Sequence, residues 1–119
     1  MNVLDSSAWL EYLAGTDRAA LFAEAIEDTD RLIVPVISIY EVYKKVLRDK
    51  GEDMAAQVFG VMSLGKVIEL DATLALESAG LPFPMADSII YATALRHEAL
   101  LWTQDAHFEG VNGVRYFKK

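Results

Sequence analysis

Four acidic residues stand where a carboxylate is costly or conspicuous: Asp5, Glu41, Asp87 and Asp105. Asp5 ends the short apolar run Asn2-Val3-Leu4, and Asp105 follows Thr103-Gln104 at the end of another. Asp87 lies within Pro84-Met85-Ala86-Asp87-Ser88-Ile89-Ile90-Tyr91-Ala92-Thr93-Ala94-Leu95, a stretch that is apolar or small on nearly every side and reads as a buried helix. Glu41 precedes the inward-facing Val42 by one residue. A carboxylate withdrawn from water needs compensation, and several crowded together repel, so a shared cation is the natural counterweight. Donor sets made only of oxygen select hard ions, Mg²⁺ or Mn²⁺ ahead of zinc or copper. Ser7 and Thr103 add hydroxyls that can hold the acids or metal-bound water. An ion held this way can activate water and stabilise an in-line phosphoryl displacement, so the chemistry suggested is metal-dependent phosphodiester hydrolysis. Each acid also has a purely structural reading. Asp87 serves as a first-turn cap, Asp5 and Asp105 as turn residues, and Glu41 as a helical acid paired with Lys45.

The elements that would position these residues alternate between strand and helix. A first strand at Asn2–Leu4 leads to a helix with Ser6 as its N-cap and Gly15 as its stop. A second helix is expected over 17–27. Arg31-Leu32-Ile33-Val34-Pro35-Val36 reads as a buried strand that Pro35 should end. A helix over 37–50 follows, with Ile39, Val42, Tyr43, Val46 and Leu47 inward, and then a helical segment over 52–64. Strands are expected at 66–70, 99–103 and 114–117, with a helix capped by Asp71 and the Asp87 helix between the first two. This pattern predicts a three-layer α/β/α sandwich around a mostly parallel central sheet of about five strands. Ligands of such sheets bind beyond the carboxyl ends of the strands. Asp5 lies just past the first strand and Asp105 just past the fourth, Glu41 lies on the first turns of the helix after the second, and Asp87 opens the helix that leads into the fourth. The four acids are therefore expected on one edge of the sheet.

Composition narrows the class. The 119 residues are 53% hydrophobic and 24% charged, as in an ordinary globular protein, and suffice for a single domain over 1–119. No apolar run approaches the roughly 20 residues of a membrane helix. There is no signal segment, so a cytoplasmic location is expected by default. The absence of cysteine excludes disulfides and thiolate metal sites. A net charge of −7 argues against a generic nucleic-acid coat protein, though not against a nuclease whose carboxylates hold cations.

The residues that carry this chemistry also carry a family likeness. Val3-Leu4-Asp5-Ser6-Ser7-Ala8-Trp9-Leu10, Ser38-Ile39-Tyr40-Glu41-Val42, Met85-Ala86-Asp87-Ser88-Ile89-Ile90-Tyr91-Ala92-Thr93-Ala94 and Thr103-Gln104-Asp105-Ala106-His107-Phe108 resemble the successive motifs of the PIN domain. Within that family they resemble most the VapC-type toxins of toxin–antitoxin pairs. The likeness spans essentially the whole chain, with the motifs in order. It implies a Mg²⁺- or Mn²⁺-dependent endoribonuclease acting on RNA, neutralised by a cognate antitoxin and commonly a homodimer. It makes Asp5, Glu41, Asp87 and Asp105 the metal-binding and catalytic acids, and Ser7 and Thr103 their polar supports. Many relatives carry a further acid two residues after the fourth, where this chain has His107. That histidine reads as a surface or structural residue outside the site, and His97 as a favourable charge at a helix end.

Lys44, Lys45 and Arg48 follow Glu41 by three, four and seven positions and share its helical face. They form a candidate RNA-tracking strip, with a solvated face as the alternative. Trp9 and Tyr12 suit the core, and Phe83 suits an exposed contact. Two other readings compete. A phospho-receiver domain with an acidic Mg²⁺ pocket would use Asp71 as its acceptor, yet it leaves Glu41 and Asp87 without a role. A nuclease-dead PIN-like binding module would not need all four acids.

Overall fold

The computed structural model describes residues 1–119. Strands β1 (Asn2–Leu4), β2 (Leu32–Pro35), β3 (Lys66–Ile68), β4 (Leu100–Thr103) and β5 (Val114–Tyr116) form one sheet in the order β3-β2-β1-β4-β5. Every neighbouring pair is parallel, so the sheet is wholly rather than mostly parallel. Six helices cover it: α1 (Ser6–Ala14), α2 (Ala20–Glu27), α3 (Val36–Lys50), α4 (Glu52–Met62), α5 (Ala72–Ala79) and α6 (Met85–Arg96).

Strand side chains alternate between two cores, as the pleat requires. Leu4, Leu32, Val34 and Trp102 pack with Trp9, Phe22, Val42 and Met62 beneath α1–α4. Val3, Ile33 and Leu101 pack with Ile90, Tyr91 and Ala94 of α6 on the opposite face. Helix α6 is buried continuously from Ser88 to Ala94, which is why its sequence shows no polar face. The layers and the element order follow the sequence expectation.

Several boundaries move for identifiable reasons. Asp5, not Ser6, caps α1: its carboxylate accepts the Ala8 N–H at 3.0 Å, which leaves the Ser6 hydroxyl free for another partner. Gly15 closes that helix in the left-handed region (φ 65°), where glycine is at ease. Helix α2 begins at Ala20 because Asp17–Ala19 form a turn. Pro35 ends β2 and directly opens α3, one residue earlier than expected. Leu47 is 40% exposed, and Phe83 is half-buried against Tyr91 and Phe108 rather than free on the surface. Gly65 lies over β2 so closely that a Cβ there would come within 2.9 Å of Leu32.

The topology selects the functional edge. From β1 the chain proceeds to β2 on one side, whereas from β4 it proceeds to β5 on the other. The carboxyl ends of the adjacent strands β1 and β4 therefore flank a switch point, where α/β sheets open a crevice. The receiver-domain alternative fails here. Its doubly wound order would be 2-1-3-4-5, whereas β3 is an edge strand in this sheet. Asp71 behind it caps α5 through the Leu74 N–H (2.8 Å) and pairs with Arg96 (3.3 Å).

Candidate functional site

Asp5 emerges from β1 directly beside Thr103 of β4, and its carboxylate is nearly sealed, with 2% of the residue exposed. The Ser7 hydroxyl donates to Oδ1 at 2.8 Å and the Thr103 hydroxyl to Oδ2 at 2.5 Å. Thr103 Oγ1 in turn accepts the Asp105 N–H at 2.9 Å, so one threonine fixes two acids from opposite sides. Burial pushes the Asp5 carboxyl up from 3.8 to about 6, against the hydrogen bonds from Thr103, Ala8 and Ser7, and the nearby charge of Asp87 adds to the rise.

Asp87 occupies the first turn of α6, but it does not cap it: Pro84 holds the cap position, and no side chain bonds the first-turn amides. Its Oδ2 lies 3.0 Å from His107 Nδ1 instead. Burial raises its affinity for a proton, His107 opposes this, and the charge of Asp105 reinforces it. Asp105 Oδ1 accepts the backbone N–H of His107 at 3.0 Å and lies 3.2 Å from its ring Nδ1. Donor atoms of Asp87, Asp105 and His107 all fall within 4.8 Å of one another. His107 is therefore within the cluster, not outside it. The short 3-10 turn Ala106–Phe108 buries Phe108 and folds the imidazole back onto both acids. Asp87 above all, with Asp105, raises its affinity for a proton.

Glu41, on the second turn of α3, is joined to this group indirectly. Ser6 Oγ donates to Glu41 Oε1 at 2.5 Å, tethering it beside Asp5. The pairing with Lys45 that would make it an ordinary helical acid does not form; Lys45 reaches Asp49 at 3.2 Å instead. No lysine or arginine pairs with any of the four acids. A buried carboxylate with a raised pKa and no cationic side chain beside it suits a bound cation, so the donor set fits a hard divalent ion.

The basic strip is largely self-engaged. Arg48 also pairs with Asp49 at 3.0 Å, and Lys44 lies over the Tyr40 ring at 5.5 Å. Beside Asp105, Lys118 and Lys119 line a depression of about 480 Å³ with Ser7, Gln104 and Tyr116. Buried Gln104 steadies this wall by donating to Glu11 (2.8 Å) and accepting from Arg18 (2.8 Å). No motif or periodicity distinguishes Lys118 and Lys119, and Gln104 stands within a motif without a role assigned to it. Burial lowers the affinity of His97 for a proton, which disfavours a charge at the α6 terminus, and its Nε2 is enclosed.

The profile of the PIN domain matches residues 3–114 of this chain. The chain belongs to the PIN domain family. Solved structures share the fold of this PIN domain at low identity. A toxin–antitoxin complex from Klebsiella pneumoniae superposes with a TM-score of 0.80 at 22% identity, over 97% of this chain and 96% of that one. VapBC2 from Rickettsia felis, bound to a DNA fragment from its promoter, gives 0.74 at 15%, covering 98% of each chain. Mycobacterium tuberculosis VapC20, a toxin that cleaves the sarcin–ricin loop, gives 0.74 at 14%, over 94% of this chain and 95% of that one. A sequence search of curated proteins gives no match. No helix of this PIN domain is long and apolar enough to cross a membrane.

Proposed function

We propose that this PIN domain is a Mg²⁺- or Mn²⁺-dependent endoribonuclease, the toxin component of a toxin–antitoxin pair. The observation that carries the reading is the set of four carboxylates at the β1/β4 switch point, Asp5 buried and the other three partly so, that no lysine or arginine neutralises. Asp5, Glu41, Asp87 and Asp105 would hold the ion, which when bound supplies an activated water and charge stabilisation for phosphodiester hydrolysis. Ser7 and Thr103 aim Asp5, Thr103 also fixes the backbone of Asp105, and Ser6 holds Glu41. Burial excludes water around Asp5 and strengthens each of these contacts. Purified protein incubated with total RNA should cleave it in Mg²⁺ or Mn²⁺ and not in EDTA. Intact RNA under all three conditions would refute the activity.

RNA must reach the ion along cationic surface. Lys44, Lys45 and Arg48 remain candidates, but two of the three are held by Asp49, whereas Lys118 and Lys119 border Asp105 itself. Lys118→Ala/Lys119→Ala is therefore expected to weaken RNA binding and flatten its salt dependence more than Lys44→Ala/Lys45→Ala/Arg48→Ala, measured by fluorescence anisotropy across salt. Equal or reversed effects would return the role to the α3 strip.

Two apolar surfaces support protein partners. One is a groove of about 410 Å³ between α1, α3 and α4, lined by Leu10, Leu13, Val46, Met54 and Val58. The other is the exposed α3 face at Ile39, Tyr40, Tyr43 and Leu47. An antitoxin and a second copy of this chain are the proposed occupants. Light scattering at roughly the tens of micromolar where weak dimers form should read a dimer, and a monomer would exclude it.

A further inference from the structure

Resting on the reading that this face holds a divalent ion, we propose that His107 is a nitrogen ligand beside Asp87 and Asp105, and that it biases the site towards Mn²⁺ over Mg²⁺. The geometry is that of a ligand set already assembled. His107 Nδ1 stands 3.0 Å from Asp87 Oδ2 and 3.2 Å from Asp105 Oδ1. Two donors bound at right angles to one ion at about 2.1 Å stand about 3 Å apart, and two on opposite sides about 4 Å. The full span of the three donors, within 4.8 Å, accommodates either arrangement for the two aspartates.

The ring is placed, not drifting. Its backbone N–H is held by Asp105 Oδ1 at 3.0 Å, and the next side chain, Phe108, is fully buried. Yet the imidazole side chain itself is 55% exposed, so an ion and its waters can approach it from solvent. An ordinary surface histidine points into water; this one is turned onto carboxylates from two different elements.

The chemical consequence lies in what replaces what. An acid at position 107 would complete an all-oxygen set with one more negative charge, the kind of site Mg²⁺ accepts. Imidazole offers a softer nitrogen without that charge. Mg²⁺ prefers oxygen donors and keeps its waters, whereas Mn²⁺ and the later first-row ions accept imidazole increasingly well. A simple His107–Asp87 hydrogen bond would give the same distances but no discrimination between ions, and this difference is what an experiment reads.

Metal-free protein should be titrated calorimetrically with Mn²⁺ and with Mg²⁺, and the Mn²⁺-loaded protein examined by pulsed electron paramagnetic resonance for ¹⁴N coupling. Wild type should bind Mn²⁺ more tightly and show the imidazole nitrogen. His107→Ala should lose the ¹⁴N signal and weaken Mn²⁺ binding about tenfold, with a much smaller change for Mg²⁺. His107→Asp should also lose the signal while shifting preference back towards Mg²⁺. Both changes are at an exposed side chain, so the fold should tolerate them. Mn²⁺ binding without ¹⁴N coupling, or equal losses for both ions, overturns the histidine ligand and leaves the metal reading intact. Failure of wild type to bind either ion overturns both. Cleavage of RNA, measured separately, bears on the nuclease reading alone.

Discussion

Changing Asp5, Glu41, Asp87 or Asp105 singly to its amide is expected to slow RNA cleavage by a factor on the order of a thousand while preserving the fold. Each amide keeps the shape and one acceptor oxygen but removes the charge that would hold a divalent ion. In Asp5→Asn, Oδ1 can still accept from Ala8 and Ser7, so the α1 cap survives. In Glu41→Gln the Ser6 hydroxyl keeps its acceptor. None of the four substitutions strands a lysine or arginine, because none is paired with them. Glu41, joined to the others only through Ser6, should show the smallest loss. End-labelled RNA gives the rates, and circular dichroism melts test the fold. Near wild-type turnover by any two variants would remove the acids from catalysis.

The second large effect is on stability without metal. Asp5 is raised from 3.8 to about 6 in the folded protein, chiefly by burial. Between those pH values the folded state retains a proton that the unfolded chain has lost, so stability falls as pH rises through this window and levels off above it. His107, whose proton affinity is also raised, continues the decline as pH passes above the ordinary histidine range. At about 1.36 kcal/mol per pH unit, Asp5 alone accounts for roughly 3 kcal/mol, or about 12 °C in the melting temperature of a domain this size. Melts in EDTA from pH 4 to 7 should show the fall, and Asp5→Asn should flatten its lower half. Saturating Mg²⁺ or Mn²⁺ should restore stability at neutral pH by binding only the folded form. Because Glu11, Asp49 and Asp71 are shifted the other way, the decisive comparison is between the two proteins: wild-type and Asp5→Asn melting profiles that run parallel from pH 4 to 6 in EDTA would mean that Asp5 is not held at a cost.

The fold and the acids were legible because both follow from alternation. Short apolar runs separated by helical periods imply a parallel sheet, and such a sheet places residues after its strands on one edge. Asp5 and Asp105 could be located from that rule alone. Pairings were less legible, because periodicity says which way a side chain faces and not what it meets. Lys45 had Glu41 and Asp49 at equal spacing along α3, and the structure joins it to Asp49. Ser6 looked like a cap by type, yet Asp5 one residue earlier takes the Ala8 amide and Ser6 turns to Glu41. Asp87 sits on the most buried helix, but its first turn opens towards solvent, and Asp5 is the deeper acid. His107 was read as peripheral because nothing in Asp105-Ala106-His107-Phe108 announces a tight turn anchored by a buried phenylalanine.

The hydrogen bond from Thr103 to Asp5 spans 98 residues of chain. Strands β1 and β4 are immediate neighbours in the sheet, but they are nearly the first and the second-to-last strands to be synthesised. A growing chain thus carries Asp5 and Glu41 long before, and Asp87 shortly before, the strand that seats beside Asp5. Until β4 inserts, the sheet lacks the member joining β1 to β5, and closing so long a loop must precede any reward from the contacts it makes. Interrupted translation products ending before Thr103 would hold three acids and no assembled centre.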